Sequence, residues 1–106
     1  MVMNIPETIK LGWRTYKINQ GEHRSGENGG ELYGEIKYED NKIFIYQKLD
    51  HDNKAITLLH EAIHWIFYNA GQKEWRENET LIECLSENLY QIIKENPELF
   101  CRKEVL

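Results

Sequence analysis

Apolar residues recur at helical spacing twice in the second half of the chain. Over residues 52–70, Ile56, Leu59, Ile63, Ile66, Phe67 and Ala70 mark one helix face. Asp50 or Asp52 can cap its start, and Gly71 stands just past its end. A polar loop, QKEWRE, follows. A second helix is expected over residues 78–95, with Leu81, Ile82, Leu85, Leu89, Ile92 and Ile93 apolar, and Asn96-Pro97 stops it. One short helical turn can follow in the tail.

The first half reads as strands. Residues 8–18, TIKLGWRTYKI, mix β-branched and aromatic side chains around Gly12, where a bend or bulge is expected. Residues 19–30 are rich in Gly, Asn and Ser and read as a mobile loop. Residues 32–39 and 42–49, on either side of an Asp40-Asn41 turn signal, form a plausible hairpin. With 106 residues the chain has room for one domain, spanning 1–106. The expected architecture is α+β: a small, mostly antiparallel sheet of about three strands, followed by two packed helices.

Composition places the chain in the ordinary soluble class, at 41% hydrophobic and 29% charged residues. A net charge of −5 argues against a nucleic-acid surface, and no basic run exceeds Arg102-Lys103. The amino terminus lacks the basic and apolar regions of a secretory signal, and no apolar run reaches the roughly 20 residues that span a bilayer. A cytoplasmic location with no membrane contact is therefore expected. Cys84 and Cys101 have no CxxC spacing and read as free thiols rather than a disulfide or a cysteine metal site.

The first helix contains His60-Glu61-Ala62-Ile63-His64. Residues four apart lie one above the other on a helix, so both imidazoles can converge on one cation. Glu61 is rotated about 100° from His60, so it is poorly placed as a ligand but able to reach a metal-bound water. In shuffled chains of this composition the HExxH pattern arises in roughly one or two per cent, so chance alone is a weak account. Both histidines also sit on the shoulder of the apolar stripe, where unpartnered imidazoles would be costly. Zinc suits this donor set and needs a third ligand. On the second helix Glu79 and Glu83, four apart, can each be aimed at it. A solvated acidic face is the competing account, and it is the one adopted for Glu87.

HExxH followed by a helix starting Asn78-Glu79, with an acid at Glu83, resembles the gluzincin pattern of the thermolysin type. That resemblance implies Glu79 as the third zinc ligand and Glu83 as a carboxylate supporting a zinc-bound histidine, although Glu83 stands where Asp is usual. Residues 32–99 resemble the short phage-associated metallopeptidases of the ImmA/IrrE-like group. The resemblance implies a minimal zincin-like fold, one zinc ion and a protein substrate such as a phage or bacterial regulator. It departs from the group in lacking room for an added DNA-binding or sensory domain and in an eroded second-helix signature.

The expected chemistry is peptide hydrolysis by zinc-activated water with Glu61 as general base. Tyr46, His51, Tyr68 and Tyr90 are candidates to stabilise an oxyanion, Tyr90 a poor one because it lies about 16 Å along the helix from Glu79. His23, in the Gly-rich loop, is expected in solvent. The GEIKY segment can bind a substrate peptide by strand addition. A zinc-bound interaction module with little or no proteolysis is the alternative; it would need the histidines but not Glu61.

Overall fold

The computed structural model describes residues 4–22, 24–25 and 31–100. His23, Cys101 and Arg102-Lys103 lie outside the described residues. Residues 8–18, expected as one bent strand, form most of a hairpin made by β1 (Thr8–Leu11) and β2 (Arg14–Gly21). Gly12 takes φ +66° at the first of the two loop positions, where a type II′ turn favours glycine. Its bare Cα also lets the turn lie on the Trp65 ring, 3.2 Å from where a Cβ would stand.

The expected loop begins later than its composition suggests. Asn19, Gln20 and Gly21 continue β2 because their backbone pairs with a neighbouring strand. A two-residue pair, β3 (Arg24–Ser25) and β4 (Glu31–Leu32), follows. The expected hairpin is present as β5 (Gly34–Lys37) and β6 (Lys42–Tyr46), antiparallel. Asn41 takes φ 53° in its turn, a conformation asparagine tolerates.

The main sheet runs β1-β2-β6-β5, with β2 and β6 parallel from Lys17↔Lys42 to Gly21↔Tyr46. It thus has four strands rather than about three, and its central pair is parallel. The chain crosses from β2 to the far edge, lays down β5, and returns through β6 into the middle. That path leaves β5 as an outer strand.

Four helices follow among the described residues, so the fold is α+β. Helix α1 (His51–Asn69) starts where the Asp50 carboxylate accepts the Asn53 N–H at 2.8 Å, and Gly71 follows its end at φ +70°. The expected polar loop contains a short helix, α2 (Lys73–Arg76), whose Trp75 meets Phe67 of α1 edge-on at 5.8 Å. Helix α3 (Glu79–Glu95) is capped by Asn78, which accepts the Leu81 N–H at 3.1 Å. Helix α4 (Pro97–Phe100) is the expected last turn. No helix among the described residues is long and apolar enough to cross a membrane.

The core lies between the sheet and α1, where Tyr16, Ile18, Ile43 and Ile45 meet Leu58, with Trp65 packed against them. Each such isoleucine contributes about 1.5–3 kcal/mol through burial. On the other side, α3 packs against α1 through Ile82, Ser86 and Tyr90, spaced four apart and all buried. Ser86 is small enough to let the helices approach closely. This rotation differs from the expected apolar stripe, since Leu89 and Ile92 face solvent. A hydrogen bond holds it: the Tyr90 hydroxyl donates to Asp52 Oδ1 at 2.6 Å.

Candidate metal centre

The site starts with one turn of α1 and the first residue of α3. His60 and His64 stack along α1 with ring centroids 5.0 Å apart, both partly buried as their place beside the apolar stripe implies. The Asn78 cap fixes where α3 begins, and so puts Glu79 at its first position. The Glu79 carboxylate spans both imidazoles: Oε2 lies 2.9 Å from His60 Nε2, and Oε1 lies 2.9 Å from His64 Nε2.

One ligand atom from each of the three residues lies within 4.8 Å of the others, so the triad can hold a metal ion. Ligands at about 2.0–2.1 Å from a tetrahedral zinc stand roughly 3.3 Å apart. The 2.9 Å separations are a few tenths of an ångström tighter, the difference expected when a carboxylate and an imidazole touch directly. Two imidazole nitrogens and one carboxylate oxygen form a donor set that suits zinc.

Glu61 does not join the triad. It points under β5 and is buried, 6% exposed. Its Oε2 would lie 3.1 Å from a Cβ at Gly34, and that Cβ would collide with the Thr57 methyl. Only glycine lets the edge strand pass this close. Burial pushes the Glu61 carboxyl up to about 8, and the charges of Glu79 and Glu35 push the same way. A hydrogen bond from the Ile36 backbone N–H opposes them. A divalent cation beside it favours the ionised form.

His64 is shifted the other way. Burial lowers its pKa, while Glu79 and a backbone hydrogen bond with Arg76 raise it and the His60 charge lowers it. A neutral imidazole is the form that binds metal. The Arg76 contact comes from α2, which the Phe67–Trp75 ring pair holds against α1. It holds His64 from behind, the role that the gluzincin resemblance gives to Glu83 for a zinc-bound histidine. Glu83 is exposed and lines a groove beside His60, with no hydrogen bond to either imidazole among the described residues.

Four other candidates fall into different surroundings. Tyr90 is held by Asp52, and Tyr46 meets Tyr33 edge-on at 6.0 Å. His51, at the start of α1, has a buried Nε2 with no hydrogen-bond partner among the described residues. Tyr68 stacks on Tyr38 at 4.0 Å. The donor-bearing side chains that do line the metal-site groove, of about 650 Å³, are Tyr38 and Arg76 together with the two histidines. Sequence reasoning missed both. Tyr38 had one usable signal: it directly follows the GEIK segment that becomes the edge strand.

A second groove, about 530 Å³, shares Gly34, His60 and Glu61 with the first, so the two adjoin as one trough beside His60. No protein-family model matches this chain, and comparison with curated proteins and with solved structures also finds no match.

Proposed function

We propose that this chain is a zinc-dependent metalloendopeptidase of the minimal, ImmA/IrrE-like kind, acting on a peptide bond in a protein substrate. The observation that carries the reading is the convergence of His60, His64 and Glu79 within 4.8 Å, with Glu61 beside them under an edge strand. A merely structural ion would need the three ligands and have no use for a buried carboxyl next to them.

His60, His64 and Glu79 would hold the zinc, which would lower the pKa of a bound water towards about 7 and polarise a carbonyl. Strand β5 offers its outer side to an extended peptide, and the trough beside the triad fits a chain passing through rather than ending there. Glu61 takes a proton from the attacking water and delivers it to the leaving amine. Its burial keeps competing solvent away from that exchange. Burial raises its pKa, and a cation beside it would favour the ionised form, the one that accepts a proton. Tyr38 and Arg76 line the same groove and are the candidates to stabilise a developing oxyanion.

The Glu61→Gln variant tests the proposal. It should hold as much zinc as the wild type and cleave about two to four orders of magnitude more slowly. Substrates come from a peptide library or a lysate screened with the wild-type protein. Equal cleavage by both removes Glu61 from the base role. Zinc binding without cleavage in either protein favours an interaction module.

A further inference from the structure

Beyond the metal-site groove lies a separate cavity of about 320 Å³. Its walls come from the β1–β2 turn and the carboxyl-terminal part of α1, with Tyr16, Trp65, Tyr68 and Tyr38 among them. Tyr38 also lines the metal-site groove, so the two spaces adjoin at this ring. The cavity is at the small end of the range for ligand pockets, a size for one side chain rather than a whole cofactor.

We infer that this cavity is the subsite for one aromatic side chain of the substrate peptide. The inference rests on the peptidase reading and gives that site its substrate class. Four features support it. The cavity adjoins the metal-site groove at Tyr38, just past the end of β5, so a peptide bound along β5 can place one side chain in it. Its walls are largely aromatic, and stacked or edge-on ring pairs contribute beyond their buried area. Trp13, at the tip of the hairpin, is 96% exposed although it borders the cavity. A large apolar ring with no packing partner of its own is placed to cover an incoming ring.

Charge is the fourth feature. Arg14 lines the cavity and no carboxylate among the described residues does, which disfavours a lysine or arginine side chain there. At the opposite end of the trough the lining includes Glu83 and Glu87. A basic segment of the substrate is drawn to that end and an aromatic one to this end.

The test uses the full zinc-loaded chain and amino-acid hydroxamates, whose chelating group anchors on zinc. Two series place the side chain on either side of that group, and binding is measured by calorimetry. In one series the phenylalanine compound should bind about tenfold more tightly than the alanine compound, the gain expected from burying a side chain of this size. The lysine compound should gain nothing. Tyr68→Ala should bring the phenylalanine-to-alanine ratio towards one. Trp13→Ser should lower the ratio too, and its near-complete exposure removes the risk of misfolding. If hydroxamates bind but neither series separates phenylalanine from alanine, the subsite is wrong while the metal centre stands. If both variants fold and keep the wild-type ratio, the subsite is also wrong. If no hydroxamate binds, the metal centre is misread and the subsite falls with it.

Discussion

Gly34 stands where the edge strand passes over α1, and the site depends on what it lacks. A Cβ there would run into the Thr57 methyl and lie 3.1 Å from Glu61 Oε2 and 3.4 Å from the Phe44 carbonyl oxygen. Thr57 is β-branched and stiff, so it cannot turn aside cheaply. Gly34→Ala should therefore cost about 1–3 kcal/mol, seen as a melting temperature several degrees lower. Adding Thr57→Ser removes the methyl and should recover most of the loss. A Gly34→Ala protein that melts with the wild type would contradict this close approach. Glu61 makes a second prediction at this scale. Its carboxyl sits near 8 in the folded chain against an ordinary 4.5, so the metal-free native state holds more protons between those values. Stability of the metal-free protein should fall as pH rises through that window. Glu61→Gln has no such penalty, and its advantage in melting temperature should grow from about pH 4.5 to about pH 8. A pH-independent difference would show that Glu61 is not buried as described.

Besides the packing of Ile82 and Ser86, polar contacts hold α3 against α1 at two places among the described residues, and Glu79 is at one of them. The other is Asp52, which accepts from the Tyr90 hydroxyl at 2.6 Å and from Lys94 Nζ at 3.2 Å. These bonds hold the Asp52 carboxyl below its ordinary 3.8. A depressed folded value stabilises the protein above the ordinary one, and that stability is lost as pH falls through the folded value. Tyr90→Phe should lower the melting temperature by a few degrees at pH 7, with a difference that shrinks at strongly acidic pH. Thermal melts across that range check it; equal melting at pH 7 would mean that the bond does not hold the helix. Both helices were legible in the sequence because their caps and periodicity are local: Asp50, one of two expected caps, Gly71 and the Asn96-Pro97 stop fall where expected, and Asn78, expected as the first residue of the second helix, caps it instead. The facing side of α3 was less legible. Leu89 and Ile92 look like core by type, but Ser86 and Tyr90 take that place because of a bond to a residue 38 positions away.

At the scale of the whole molecule, alternation along a strand says which side chains share a face and nothing about which strand lies beside it. The β5–β6 hairpin was readable for that reason, while the parallel β2–β6 pairing was not. The same limit applies to the site. His60, Glu61 and His64 are fixed by one helix turn and were visible in the sequence, whereas the residues alone left Glu79 and Glu83 both open and only the gluzincin resemblance favoured Glu79. Gly34, Tyr38 and Arg76 come to the site through the crossover and α2, which no local spacing records. The crossover makes β5 an edge, α1 lies beneath it, and α3 brings Glu79 to the histidines from 19 residues beyond His60. The central claim is that these elements converge to bind one zinc ion. Anomalous diffraction at the zinc edge, from crystals of the purified zinc-loaded protein, measures this directly. It should give one strong peak about 2.0–2.2 Å from His60 Nε2, His64 Nε2 and a Glu79 carboxylate oxygen. No peak between α1 and α3, or a peak there with Glu79 turned to solvent, would contradict the account.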